Sequence, residues 1–306
     1  MPSNKESRNS READTSEASE VLTSRALHRA SEDDLFVPVI IKRTDEARRH
    51  PDDILEFAIK EGLEQLERPT LSLALSAVVA GLILGFTAMS VGVTLTALEG
   101  IQYPALTRLA VALVYPMGFV VCLMSGTELF TEHTATAVYP VLDRRAGMVA
   151  LLRLWFVVLL GNMLGTLASA GLLSGAEEVI GASHGYAEVT RHLISYNALP
   201  LVISALLAGW LMALGAWLIL ATPPTVSQLA SVWVVTFLIG LGGLHHSIAG
   251  TAEVFTGYLT SSEFALSEVF RFIGLAVFGN LIGGSLFVAV LNYGHIRKSQ
   301  TVSEEG

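Results

Sequence analysis

The chain has 306 residues, of which 52% are hydrophobic and 15% are charged, and its formal net charge is −9. Soluble globular proteins carry about 25% charged residues, and the charges here are unevenly spread: residues 1–70 hold 27 of them and residues 71–294 only 16. So long an apolar stretch excludes a soluble enzyme, a nucleic-acid binder and a secreted disulfide-stabilised protein. It predicts an all-α, polytopic membrane protein. The single cysteine, Cys122, lies in an apolar run, so neither a disulfide framework nor a cysteine-based metal cluster is expected.

Four segments are predicted along the chain. Residues 1–50 are rich in Ser, Glu, Asp and Arg, which is typical of a disordered, charged cytoplasmic tail. Residues 51–68 are expected to form an amphipathic cytoplasmic helix, because Asp52 and Asp53 precede regularly spaced apolar residues. Residues 69–296 are then predicted to form a six-helix transmembrane domain, and residues 297–306 a short cytoplasmic tail.

Six apolar runs are long enough to cross a membrane as helices. They are Leu71–Leu98, Leu106–Ser125, Met148–Leu173, Ala198–Ala221, Leu229–Gly243 and Phe270–Tyr293. Basic residues cluster before the first run, between the second and third, and after the sixth, so with six spans they share one side, which should be cytoplasmic. Both termini are therefore expected in the cytoplasm, and the acidic connection Ser174–Asn197 is expected to be an external loop.

The two halves of the chain resemble each other. Gly161–Gly165 reads GNMLG and Gly279–Gly283 reads GNLIG, and a moderately polar segment (126–141 or 244–258) precedes each at the end of an apolar helix. With three spans per half, the second half must be inverted, giving a 3+3 repeat with broken second and fifth helices and a transport site near the midplane. The glycines favour close helix packing, and Asn162 and Asn280 are expected to hydrogen-bond the backbone freed in the interrupted segments.

Ionisable residues within membrane spans indicate function. The candidates in the interrupted segments are Glu128, Glu132, His133, His245, His246 and Glu253. A pore-lining histidine that carries or relays a proton or an anion is favoured, with a structural histidine and a metal ligand as alternatives. Metal binding is disfavoured because adjacent histidines on a helix point about 100° apart and no further ligand has a suitable spacing.

Three motifs resemble those of the formate/nitrite transporter family. Gly126–Thr131 (GTELFT) resembles the G-A-[DE]-L-F-T signature, His246–Gly250 (HSIAG) resembles H-S-[IV]-A-N, and Gly279–Gly284 (GNLIGG) resembles G-N-[IL]-[IL]-G-G. The resemblance extends over about residues 50–298, and the chain looks like a less characterised bacterial inner-membrane branch of the family.

The resemblance implies an aquaporin-like fold, with six spans of which the second and fifth are broken. It also implies a homopentamer in the bacterial inner membrane, in which each subunit has its own pore. The substrates would be small monovalent anions of weak acids, such as formate, nitrite, hydrosulfide, acetate or lactate, with passage linked to protons. We expect no enzymatic activity, no cofactor, no metal and no nucleic-acid partner. The expected partners are the anion, protons, the bilayer and other copies of the chain.

The resemblance also implies roles for individual residues. His246 would be the central pore histidine, and Thr131 would hydrogen-bond the substrate or His246. Phe119 would lie at an apolar constriction on the cytoplasmic side with Ile239 opposite, and Arg191 and His192 would line the external vestibule. The remaining predicted pore residues are Leu129, Phe130, Glu128, His245, Asn162 and Asn280.

Some positions depart from the family pattern. His245 stands where a glutamate is usual, Gly250 where many members have asparagine, and Leu193 and Gly209 align without gaps to a lysine and an asparagine of several members. These departures leave open a regulatory or scaffold protein with a degenerate pore. A neutral-solute pore would need paired N-P-A motifs, which the sequence lacks, and an intramembrane enzyme or metal protein would need a better ligand set.

Overall fold

The structure is a computed structural model that describes the backbone of residues 49–304 and the side chains of residues 49–298. The predicted disordered tail, residues 1–50, lies almost wholly outside the described residues.

The regular secondary structure of the described part is entirely helical. In chain order the helices are α1 (Pro51–Glu67), α2 (Thr70–Ala97), α3 (Pro104–Val114), α4 (Pro116–Met124), α5 (Phe130–His133), α6 (Tyr139–Leu142), α7 (Met148–Gly175), α8 (Glu177–Ile180), α9 (Ser183–Ile194), α10 (Ala198–Ala221), α11 (Thr225–Gly242), α12 (Ser247–Thr260), α13 (Leu266–Gly284), a π-helical turn (Ser285–Val290) and α14 (Leu291–Glu304).

Within the described range, six stretches are long and apolar enough to cross a membrane. They are Thr70–Ala97, Pro104–Met124, Met148–Gly175, Ala198–Ala221, Thr225–Gly242 and Leu266–Lys298. The second combines α3 and α4, and the sixth combines α13 with the π-helical turn and the start of α14. The predicted all-α fold with six spans is therefore confirmed.

Helix α1 is the amphipathic helix expected before the first span. Pro51 occupies its first turn, where a missing N–H is harmless, and His50 Nδ1 accepts a hydrogen bond from the Asp52 N–H (3.3 Å). Its fully buried residues include Ile54 and Leu55, and it packs against α6 and α10 at the end of the bundle.

The connection 174–197, expected on the external side, is largely helical. It contains α8 and α9, and α9 buries Tyr186, Val189, Thr190 and Leu193 against α2 and α12. These four side chains lie at i, i+3, i+4 and i+7, the spacing of one helix face. The helix is only 12 residues long and polar on its other face, so a search for long apolar runs does not detect it.

The glycines of the two GNxxG segments bring helices into contact, as predicted. A Cβ on Gly165 of α7 would lie 2.2 Å from the Val78 carbonyl oxygen of α2, and one on Gly283 of α13 would lie 2.1 Å from the Leu206 carbonyl oxygen of α10. Gly209 packs in the same way, since its Cβ would lie 2.3 Å from the Asn280 carbonyl oxygen. This contact leaves no room for a side chain at position 209, where the ungapped alignment has an asparagine in several family members.

Candidate functional site

The helical backbone is interrupted at two places of similar geometry. It stops at Met124 and resumes at Phe130, and it stops at Gly242 and resumes at Ser247. Each interruption contains a glycine in the left-handed region, with φ of +66° at Gly126 and +60° at Gly243, a conformation that residues with a Cβ rarely adopt. We call residues 125–129 the first break and residues 243–246 the second break.

A buried asparagine holds each break, as predicted from the repeat. In the first half, Asn162 donates from Nδ2 to the carbonyl oxygens of Ala77 (2.8 Å) and Glu128 (2.9 Å), and its Oδ1 accepts from the Phe130 N–H (2.9 Å). Since no water is available in an apolar interior, the bonds to Glu128 O and from Phe130 N–H supply partners that the interrupted helix has lost, and the bond to Ala77 O ties Asn162 to α2.

Asn280 makes the equivalent three bonds in the second half. It donates to Ala205 O (2.6 Å) and His245 O (3.0 Å), and it accepts from Ser247 N–H (2.8 Å). The serine before Ala77 and the serine before Ala205 make equivalent bonds to the two breaks. Ser76 Oγ accepts from the Glu128 N–H and Ser204 Oγ accepts from the His245 N–H, both at 3.2 Å.

This equivalence pairs individual positions of the two breaks. Glu128 corresponds to His245, and Phe130 to Ser247, because each pair makes the same bonds to its asparagine. His246 therefore occupies, in the second half, the place of Leu129 in the first.

His246 is fully buried and joins the two breaks. Its Nδ1 accepts from the N–H groups of Ile248 (3.3 Å) and Ala249 (3.1 Å) at the start of α12, and its Nε2 lies 3.0 Å from Thr131 Oγ1. A ring nitrogen that accepts two hydrogen bonds carries no proton, so this network places the proton on Nε2, which donates to Thr131. Phe119 packs edge-on against the imidazole, with ring centroids 5.0 Å apart.

A cavity of about 660 Å³ lies beside the second break. Its lining includes Leu95, Ile101, Arg108, Tyr115, Glu188, His192, Tyr196, Ser204, Ile239, His245 and Glu253. The lining includes the C-terminal part of α2 and the residues just beyond it, so the cavity is on the side of the bundle away from α1. We call it the α9-side cavity.

Ile239, expected opposite Phe119 at a constriction, lines the α9-side cavity together with Tyr115. Phe119 lies between Tyr115 (ring centroids 5.4 Å apart) and His246. Tyr115 was not among the residues predicted from the sequence.

The two residues predicted to line the vestibule, Arg191 and His192, lie in different environments. His192 lines the α9-side cavity and stacks near His245, with ring centroids 6.2 Å apart and planes 14° from parallel. Arg191 instead pairs with Glu263 (2.6 Å), and both side chains are more than half exposed.

Glu128 belongs to an ion network on the α1 side. Its carboxylate contacts the guanidinium of Arg68, at the end of α1, and the imidazole of His133. Trp155 Nε1 donates to the His133 carbonyl oxygen (3.0 Å), which ties α7 to the same cluster. Among the residues with described side chains, no group of three His, Cys, Asp or Glu is placed to hold a metal ion.

Six apolar spans and two interruptions that meet at a buried histidine define a channel-like membrane protein. Residues 52–294 match the sequence model described as Formate/nitrite transporter, and the chain belongs to this family. The chain is 30% identical over 259 residues to Inner membrane protein YfdC of Escherichia coli (81% of this chain, 79% of the relative) and 24% identical over 249 residues to Formate channel FocA of Haemophilus influenzae (73% and 86%).

Solved structures show the same fold. A structure described as FNT family ion channel aligns with a TM-score of 0.72 at 18% identity, covering 80% of this chain and 99% of that one. A pentameric formate channel with formate bound aligns with a TM-score of 0.62 at 19% identity, covering 75% and 98%. These findings confirm the family and the fold class predicted from the sequence, and the family is one of transporters and channels rather than enzymes.

Proposed function

We propose that this protein is a multi-pass channel or transporter of the inner membrane for small monovalent anions of weak acids, and that passage through it is linked to protons. Its family membership and its similarity to proteins named as formate channels support the anion class. The observation that carries the proposal is the contact between Thr131 Oγ1 and His246 Nε2, at which the two breaks meet.

The surroundings of this contact suit a weak-acid anion. An unpaired anion in an apolar site is costly, whereas its protonated form is far cheaper to transfer. His246 presents an Nε2–H donor and stands at the N-terminus of α12, where the helix dipole favours negative charge. The anion would replace Thr131 as acceptor, and the Nε2 proton would be available for transfer to it.

Other predicted site residues take supporting roles in this proposal. Asn162 and Asn280 use both amide donors on the backbone, so they hold the breaks rather than bind substrate. Phe119, Leu129 and Phe130 are buried and form the apolar surroundings of the path. His192 and His245 line the α9-side cavity, which would be the external vestibule.

The arrangement in the membrane is proposed on the same grounds. The second and fifth spans would be broken helices of an aquaporin-like inverted repeat, and five copies would assemble, as in the pentameric relative. Arg145 and Arg297 lie with α1 at one end of the bundle, where both contact Glu56. The positive-inside rule makes this end cytoplasmic, which places both termini there.

Flux through proteoliposomes tests the proposal. We expect purified protein to pass formate, nitrite or acetate faster than empty liposomes, and His246→Asn and His246→Ala to lose at least about tenfold. That factor corresponds to one hydrogen bond to a charged group, worth about 1.5–3 kcal/mol. His184→Asn, a 44% exposed histidine on α9, should stay within about twofold of wild type.

Two results would contradict the proposal. If none of the three anions crosses faster than through empty liposomes, the transport function fails and a regulatory or scaffold role replaces it. If anions cross but His246→Ala conducts like wild type, the central role of the histidine is wrong. Glycerol flux measured in parallel tests the neutral-solute alternative.

A further inference from the structure

Glu253 is a buried carboxyl group without a partner. It lies on α12, it is 2% exposed, and it lines the α9-side cavity. Its Oε1 is buried without a hydrogen bond, and the described side chains provide no cation in ion-pair contact with it. By contrast, the buried carboxylate of Glu128 contacts both Arg68 and His133. Glu253 therefore lacks the compensation that a buried charge requires.

His245 lines the same cavity and presents a hydrogen-bond donor. Ser204 Oγ accepts from the His245 backbone N–H (3.2 Å) and lies 2.7 Å from His245 Nδ1. In the tautomer in which the serine hydroxyl donates to Nδ1, the imidazole proton is on Nε2. That Nε2 is buried and makes no hydrogen bond of normal geometry.

The other titratable groups near Glu253 come from several elements. Those that share its cavity are Tyr115, Glu188, His192, Tyr196, His245 and Arg108. Those carried elsewhere on the helices packed against α12 are Glu132 and His133 of α5, Arg153 of α7, His184, Tyr186 and Arg191 of α9, and Glu268 and Arg271 of α13, whereas α2 carries none.

The charged members of the cavity lining are engaged elsewhere. Arg108 donates to the backbone carbonyls of Leu241 (2.5 Å) and Gly242 (3.1 Å). Glu188 lies 3.3 Å from His184, and both are exposed. Glu253 thus lines a space of about 660 Å³ in which Arg108 and Glu188 already have other partners.

We propose that Glu253 and His245 form a binding site that takes up a small monocarboxylate together with one proton. A charged Glu253 would repel an anion in this cavity, whereas a protonated carboxyl donates its O–H to one carboxylate oxygen, and His245 Nε2–H donates to the substrate as a second donor. The inference rests on the proposed anion transport and adds a second proton-bearing group to it.

The proton balance of this step is simple. The Glu253 O–H bond breaks and an O–H bond forms on the bound carboxylate, so a neutral acid leaves the site towards His246 and Glu253 remains as a carboxylate. Glu253 then regains a proton from water in the cavity. One anion and one proton enter per cycle, and the charge of the protein is unchanged.

Proton uptake on binding tests the site separately from transport. Purified full-length protein in weakly buffered detergent solution, at a series of pH values from about 7.5 to about 10, receives sodium formate while an indicator dye records protons and equilibrium dialysis with radiolabelled formate records binding. Because the site binds the anion only when Glu253 carries a proton, we expect uptake by wild type to rise towards one proton per formate bound as the pH increases and the empty site loses its proton. Glu253→Gln, which keeps a donor but cannot titrate, should bind formate with less than a fifth of that uptake.

Matched variants assign the proton to Glu253. Glu188→Gln, which removes the exposed carboxylate of the same cavity, should keep the wild-type ratio, and Glu253→Asp should restore uptake if gel filtration shows that the glutamine variant is misfolded. Uptake that persists in a folded Glu253→Gln variant, wild-type binding without proton uptake at every pH in the series, or no formate binding would each overturn the inference. Wild-type liposomes that still pass anions would leave the proposed function intact.

Discussion

Replacing Asn280 by alanine should weaken the whole transmembrane domain. The side chain is fully buried and makes three hydrogen bonds, to Ala205 O, to His245 O and from Ser247 N–H. Alanine removes all three and leaves the His245 carbonyl oxygen and the Ser247 N–H, at the second break, without the partner that Asn280 supplies in the protein interior.

The expected loss is about 2–5 kcal/mol. Hydrogen bonds between membrane helices average about 0.6 kcal/mol each, so three give a lower limit near 2 kcal/mol. Each buried group left unsatisfied costs about 1–3 kcal/mol, which raises the estimate, although partial rearrangement of the break offsets part of it. For a domain of this size, about 2 °C per kcal/mol corresponds to a decrease in Tm of at least about 4 °C.

Thermal unfolding in detergent, followed by tryptophan fluorescence, measures this effect. Gln228→Ala is the matched control, because Gln228 makes one hydrogen bond (Nε2 to Ile219 O, 3.3 Å) in a partly buried position and should lose less than about 1 kcal/mol. Asn162→Ala should resemble Asn280→Ala, since the bonds correspond. An Asn280→Ala protein as stable as Gln228→Ala would refute the assignment of Asn280 as the group that holds the break.

Two further comparisons use pairs of variants in the same unfolding assay. Gly283→Ala should cost about 1–3 kcal/mol by forcing α13 away from α10, whereas Gly274→Ala, which meets nothing within 4 Å, should be neutral or stabilising by up to about 1 kcal/mol; equal effects would refute the close-packing argument. Arg68→Met should cost about 1–3 kcal/mol because it leaves the buried Glu128 with one cation fewer, while Arg145→Met, at a 47% exposed position, should change stability by less than about 1 kcal/mol. A larger loss for Arg145→Met would contradict the structural role given to the Arg68 contact.

The features that hydropathy and repetition encode were predictable. Spans of about 20 apolar residues must hydrogen-bond internally and therefore read directly as helices. The role of Asn162 and Asn280 followed from their matching positions, because a mid-membrane amide needs a partner and an interrupted helix offers unpaired backbone.

Features that depend on tertiary contacts were not predictable. Helix α9 is short and its apolar face contacts α2 and α12, so its pattern differs little from that of a polar loop. The side on which Ile239 lies depends on how α11 leads into the second break. The lack of a hydrogen-bond or ion-pair partner at Glu253 depends on which side chains surround it in the fold, and it cannot be read from the sequence.

The position of the two asparagines along the chain has a consequence for synthesis. Each follows the break that it holds, by 32 residues from Phe130 to Asn162 and by 33 from Ser247 to Asn280. Since a chain emerges from its N-terminus, the first half obtains all of its bridging bonds once α7 is made and needs nothing from the second half. The second break has to wait for the last span. A nascent or truncated chain that ends before residue 280 therefore leaves the His245 carbonyl oxygen and the Ser247 N–H without the hydrogen bonds that Asn280 makes. The membrane quality-control machinery could recognise such unpaired polar groups.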